Sequence, residues 1–197
     1  RAGSDDLPID VAVIGGGPSG LAAAMSLKAA GVAHVVVLER EPQAGGIPRH
    51  CGHPPFGMRE FGRVLKGPAY AKRLVERAKQ AGVVIRTRST VVNILPDGVL
   101  TVSTPKGVGQ ISALRVIYAT GVRETPRSAR LIAGARVAGV INTGALQSMI
   151  YLNQQRPFAR PVIVGSELVA FSALMTCQHA GIRPNAMIEA ASTATAR

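Results

Sequence analysis

Residues 9–39 read IDVAVIGGGPSGLAAAMSLKAAGVAHVVVLE, and this stretch decides the fold. An apolar strand, Ile9–Ile14, runs into Gly15-Gly16-Gly17-Pro18-Ser19-Gly20, a complete G-x-G-x-x-G that opens a helix. Small and apolar residues closed by Gly31 follow, and then a second apolar strand that ends on Glu39. Strand, glycine turn, helix and strand make one parallel βαβ unit. Gly15 permits the tight turn, Gly17 leaves no Cβ between backbone and a pyrophosphate, and Gly20 lets helix and strand pack closely. The helix N-terminus offers free N–H groups and a partial positive charge to phosphates. Glu39, 19 residues beyond Gly20, is placed to accept hydrogen bonds from ribose hydroxyls. A glycine triplet alone would say little. With strand, helix and acid in their places, the stretch reads as a dinucleotide site.

The same unit is written twice. Residues 161–189, PVIVGSELVAFSALMTCQHAGIRPNAMIE, align without a gap on 11–39 at an offset of 150. Gly15 falls on Gly165, Ala23 on Ala173, Met25 on Met175, Ala30-Gly31 on Ala180-Gly181, and Glu39 on Glu189. Two such units at this distance predict two dinucleotide-type domains rather than a short-period solenoid.

Between them the pattern changes. Residues 68–81 read as a helix, with Pro68 at its start and Gly82 just past its end. Val83–Arg86 reads as a strand. Residues 89–113, broken by Pro96-Asp97-Gly98 and Pro105-Lys106-Gly107, read as a small antiparallel meander. Residues 115–119 are expected to form a further buried strand that ends in Thr120-Gly121. A loop-rich crossover at 122–142, a helix at 143–152 and a linker at Gln154–Pro161 complete the chain between the units.

The glycines do not choose between NAD and FAD, but three later features do. Glu39-Arg40-Glu41 is followed by Gly45-Gly46, a meander precedes the fourth strand, and that strand ends in Ala119-Thr120-Gly121. With these the sequence resembles the FAD-dependent pyridine nucleotide–disulfide oxidoreductase family, the flavoproteins with two dinucleotide-binding domains, over about residues 9–190. The resemblance implies FAD on Gly15, Gly17, Pro18, Ser19, Gly20, Glu39, Arg40, Gly45 and Gly46. It further implies that Ala119-Thr120-Gly121 passes the pyrophosphate and that Val91 gives backbone contacts to the adenine. More narrowly, Gly45-Gly46-Ile47 through Cys51, His53, Phe56-Gly57 and Phe61 is similar to the FAD/NAD(P) oxidoreductases that accompany glycerol-3-phosphate or amino-acid dehydrogenase subunits. The expected architecture is then α/β. A Rossmann-like FAD-binding domain occupies 1–156, a parallel sheet with an inserted antiparallel meander. The start of a second Rossmann-like βαβ unit occupies 157–197.

Departures from that family matter as much. Its disulfide reductases place a C-x-x-x-x-C pair after the Gly-Gly, where this sequence has Pro48 and His53. A flavin-to-disulfide relay is therefore not expected, and Cys51 and Cys177 are assigned to different βαβ units. Cys51, beside Arg49 and His50, is either a thiol of lowered pKa near the flavin or a small buried packing residue. His50 and His53 are candidate proton donors or structural residues, and Cys177 reads as core. In the second unit Gly165 keeps the turn and Ala170 is a tolerated third position, but Glu167 replaces the second glycine. NAD(P) is therefore doubtful there. Two strands and one helix cannot bury both faces of a sheet. The expectation is a fragment of a longer polypeptide, with completion by another chain as the alternative.

Bulk composition narrows the function classes. With 47% hydrophobic and 17% charged residues the chain reads as globular. The net charge of +12 invites a nucleic-acid reading, yet Lys and Arg are spread mostly singly. The tightest group, Arg123, Arg127 and Arg130, follows the A-T-G motif, so nucleic acid is not an expected partner. The two cysteines suggest neither a disulfide framework nor a zinc site. The polar start Arg1–Asp6 suggests no signal peptide, and no run approaches the ~18 apolar residues of a membrane span. A cytoplasmic flavoprotein oxidoreductase is the resulting expectation. It would pass electrons between FAD and a small organic substrate or a partner dehydrogenase subunit. A nucleotide-binding structural subunit without turnover, and an NAD(P) enzyme without flavin, are its rivals.

Overall fold

A computed structural model describes residues 8–135 and 138–192. They form two compact units, each discontinuous in sequence. One comprises residues up to 47 together with 69–122, the other 48–68 together with 123 onward.

The first unit is built on a six-stranded sheet. Strands β1 (Ile9–Ile14), β2 (Val35–Leu38) and β3 (Val84–Arg86) are parallel neighbours. Strands β4 (Thr90–Ile94), β5 (Val99–Thr104) and β6 (Gly107–Tyr118) form the meander, and the order is β3-β2-β1-β6-β5-β4. All four residues of β2 and five of the six in β1 are buried, as expected of central parallel strands covered on both faces. Helix α1 (Pro18–Ala29) packs against β1 and β2 and buries Leu21 and Ala24. The short helix α2 (Met58–Phe61) lies in the segment that belongs to the other unit. The long amphipathic helix α3 (Gly67–Gln80) buries Tyr70, Ala71, Leu74 and Ala78 along one stripe. It stops where Gly82 takes φ +79°. One core layer gathers Ile9, Ala12, Ile14, Val36, Leu38, Leu100, Val102 and Ala113, with Val91, Ile111 and Val116 against it.

The meander stands as the sequence indicates, but its last strand differs. Residues 107–112 and 115–118 belong to a single twelve-residue strand, antiparallel to β5 at one end and parallel to β1 at the other. The expected buried strand at 115–119 is also corrected. Arg115 and Tyr118 are exposed, Tyr118 to 72%, and Val116 and Ile117 are only part-buried. The cause is positional. Residues 115–118 pair only with β1 among the described strands, β5 being matched to 107–112, so one edge of this end of β6 carries no strand neighbour.

In the second unit, β7 (Val162–Val164), α5 (Leu168–His179) and β8 (Ala186–Ile188) make a second parallel βαβ. Helix α4 (Thr143–Gln147) continues as a π-helical turn over Ser148–Leu152 and packs on α5. Asn142 and Glu124 cap it, Asn142 Oδ1 accepting from Ala145 N and the Glu124 carboxylate from Thr143 N and Gly144 N. Leu146, Ile150, Ile163, Ala170, Ala173, Cys177 and Ile182 form its core. The segment 48–68 belongs to this unit, and a Phe56–Leu65 bridge frames α2 within it. No helix among the described residues is long and apolar enough to cross a membrane.

Candidate dinucleotide site

The β1–α1 turn gathers most of the residues expected of a cofactor site. Gly15 has φ +110°, and a Cβ there would collide with the Ala119 carbonyl. A Cβ on Gly20 would collide with the carbonyl of Gly15. The Ala119 N–H donates to Ile14 O, which seats the end of β6 beside the turn. Gly45 N donates to Gly16 O at 2.7 Å, and a Cβ on Gly46 would lie 2.8 Å from Gly17 Cα. Gly15, Gly20, Gly45, Gly46 and Ala119 are thus packed closely at the backbone, with Gly46 set against Gly17 Cα and the Pro18 ring.

Gly17 is the exception within this packing, and the exception is informative. A Cβ on Gly17 would meet nothing nearer than Gly46 Cα at 3.8 Å. The residue is the N-cap of α1, makes no side-chain cap, and is followed by a first turn without acid. Its side of the turn is therefore open, beside helix N–H groups that lack an intrahelical acceptor. An anion fits that space and chemistry.

Glu39 is buried and locked. Its Oε2 accepts from Gly16 N at 2.9 Å and its Oε1 from Glu41 N at 2.8 Å. Its own N–H donates to Arg86 O, and its carbonyl accepts from Ser89 N. A carboxylate oxygen can accept more than one hydrogen bond, so the acid is oriented and still able to take ribose hydroxyls. Sequence reading gives no role to Gly16. A Cβ there would stand 2.9 Å from Glu39 Oε2, so the middle glycine of the three is what admits this contact. Glu39→Ala leaves two N–H donors without their acceptor and is expected to cost about 2–4 kcal/mol. Urea unfolding checks this, and a loss under about 0.5 kcal/mol, the range of neutral surface changes, would show that the carboxylate does not hold the turn.

Other expected residues stand elsewhere in this unit. Thr120 and Gly121, just past β6, are exposed, Gly121 at φ +69°. Arg40 is exposed and pairs with Glu41 at 3.5 Å. Val91 lies in β4 opposite Val102, packed on the core layer rather than on the turn. A separate groove in the same unit is lined by Leu38, Arg86, Ser89, Val102 and Lys106, and none of the turn glycines reaches it.

Cys51 and His53 belong to the second unit. Cys51 is buried, and burial pushes its thiol above the usual range, so of the two readings the small buried packing residue stands and the thiol of lowered pKa beside Arg49 and His50 does not. Desolvation outweighs nearby positive charge here. Cys51 and Cys177 fall in the same compact unit, which joins 48–68 to the residues from 123 onward. Gly52 lies directly against the Tyr151 ring, which stacks on His179 at 4.9 Å. His53 is part-buried, with Nδ1 2.9 Å from Pro54 O and its ring 5.6 Å from Phe56. Cys177 is 1% exposed, in the core of α5. Arg127 commits its guanidinium to the carbonyls of Ile132, Ala133, Gly134 and Ala135, a loop staple.

Comparison with known proteins bears on this geometry. The sequence pattern of the family described as FAD dependent oxidoreductase matches residues 10–167. An opine oxidase subunit from Agrobacterium tumefaciens (strain Ach5) is 29% identical over 167 residues, which is 79% of this chain and 32% of the relative. L-proline dehydrogenase from P. horikoshii superposes with a TM-score of 0.72 at 20% identity, over 93% of this chain and 35% of that one. The bacillithiol disulfide reductase Bdr from Bacillus cereus does so with a TM-score of 0.65 at 18% identity, over 96% and 60%. These superpositions establish the Rossmann-like fold. The chain spans about a third of the length of the first two relatives.

Proposed function

The chain belongs to the FAD dependent oxidoreductase family, and on that premise we propose that it is the FAD-holding portion of an oxidoreductase. It passes electrons between FAD and a small organic substrate or a partner dehydrogenase subunit. The observation that carries the reading is the open backbone over Gly17 beside the locked Glu39 carboxylate.

In this reading Gly15, Gly17, Pro18, Ser19 and Gly20 surround the pyrophosphate, and the α1 N-terminus balances its charge. Glu39 takes ribose hydroxyls. Arg40 and the Val91 backbone serve the adenosine end, while Gly45-Gly46 and Ala119-Thr120-Gly121 border the pyrophosphate and flavin. When bound, FAD supplies the acceptance and release of electrons, and the protein's share is position and electrostatics. Residues 1–156 would be the FAD-binding domain and 157–197 the incomplete second one. The relative's name, an opine oxidase subunit, supports both an oxidative role and a partner subunit. It also favours the narrower branch of dehydrogenase-associated oxidoreductases.

Anaerobic mixing of the FAD-loaded full-length polypeptide and its partner with opines tests the function. Bleaching of the flavin is expected. Retained FAD that no substrate bleaches would favour a nucleotide-binding structural subunit. The buried Cys51, its thiol pushed up by burial, is the observation on that side. Cys51 and His53 remain the weak catalytic candidates. Cys177 has no part in electron flow here, so Cys177→Ala is expected to leave flavin reduction rates unchanged while costing about 1 kcal/mol of stability through lost core volume. A severalfold fall in reduction rate at full FAD content would contradict this.

A further inference from the structure

The second βαβ unit repeats the first in backbone detail. Gly165 has φ +111° against +110° at Gly15. Gly165 N donates to Ile188 O at 2.8 Å, as Gly15 N does to Leu38 O at 2.9 Å. Both N-caps are extended, Gly17 at φ −78° and Glu167 at φ −73°. Helices α1 and α5 each have twelve residues. A dinucleotide turn has therefore been built a second time.

Its contents differ at the two positions that matter. Ser166, 1% exposed, stands where the first unit has Gly16, and its hydroxyl donates to Glu189 Oε2 at 2.6 Å. With Ala190 N and Ala191 N on Oε1, this holds the Glu189 carboxyl below its usual range, the Ser166 hydroxyl contributing most. Glu167 stands where Gly17 left an open side. Its Oε2 lies 2.6 Å from the point a Cβ on Gly165 would occupy, so the carboxylate folds back over the turn. In the first unit the matching position, Gly17, carries no side chain.

We infer that Glu167 is the resident anion of this second turn and closes it to NAD(H) and NADP(H). The side chain fills the approach that a pyrophosphate needs, and its charge repels the phosphates at short range. Reducing equivalents then exchange with FAD by a route other than a nicotinamide nucleotide on this unit. The inference goes beyond the FAD reading, and its test leaves that reading untouched.

The test is direct binding of NADH and NADPH to the FAD-loaded full-length protein, by calorimetry or nucleotide fluorescence, with FAD content measured alongside. Loaded FAD keeps the first turn out of the readout. Wild type is expected to bind neither nucleotide below millimolar concentration. Glu167→Gly is expected to bind at least tenfold more tightly, and Glu167→Gln, which removes charge but keeps bulk, to fall between. Micromolar binding by wild type would overturn the inference. So would a folded Glu167→Gly protein, with unchanged circular dichroism, that binds no more tightly than wild type.

Discussion

Gly17→Val is expected to leave the chain folded and unable to hold FAD. The backbone at Gly17 has φ −78° and ψ −179°, extended geometry that valine accepts without strain. A Cβ would have only Gly46 Cα nearby, at ordinary contact distance. The apoprotein should unfold within about 0.5 kcal/mol of wild type, as surface changes do. The branched side chain, however, projects into the side of the turn where the pyrophosphate has to lie against the backbone. Affinity for FAD should fall on the order of 100-fold or more, about 2.7 kcal/mol. Equilibrium dialysis measures the loss and thermal unfolding checks the fold. A Gly17→Val protein that retained FAD like wild type would sink the assignment of this turn.

Gly15→Ala is expected to do the reverse and break the unit itself. Two costs add at this position. The φ of +110° strains any residue with a Cβ, and that Cβ would overlap the Ala119 carbonyl. Backbone strain of this kind costs on the order of 1–3 kcal/mol, and overpacking against fixed backbone about as much again. A loss of about 2–6 kcal/mol is a large share of an ordinary domain's stability. Gly31 supplies the control. Its φ is +88°, yet nothing lies within 4 Å of a Cβ there, so Gly31→Ala carries the strain alone. Urea unfolding should therefore rank wild type above Gly31→Ala and Gly31→Ala above Gly15→Ala. Equal losses for the two variants would show that the Ala119 contact is not what demands glycine at 15.

These contrasts show what the sequence discloses and what it withholds. The βαβ unit is legible because its requirements are local. Gly15 is demanded by its own φ of +110° and Gly20 by the nearby Gly15 carbonyl, and the turn leaves a fixed spacing to Glu39; only the Ala119 contact at Gly15 is remote. The repeat at 161–189 is legible for the same reason, and α5 falls on α1 residue for residue. Side-chain choices that depend on distant partners are not. Nothing local says that Gly16 must admit Glu39 Oε2, or that Glu167 folds back on Gly165 rather than extending into solvent. The continuity of β6 is hidden because its two halves pair with strands far apart in sequence, β1 and β5. Cys51 is ambiguous in sequence because its flanking Arg49 and His50 suggest a charged setting. Its actual environment is set by burial within 48–68 and by Tyr151 across Gly52.

The most direct test of the central claim is the flavin content of the chain. Full-length protein is incubated with FAD, freed of unbound cofactor by gel filtration, and denatured to release what it holds. Close to one FAD per chain is expected, with Gly17→Val eluting without flavin although folded. Wild-type protein that emerges folded and free of FAD would contradict that claim.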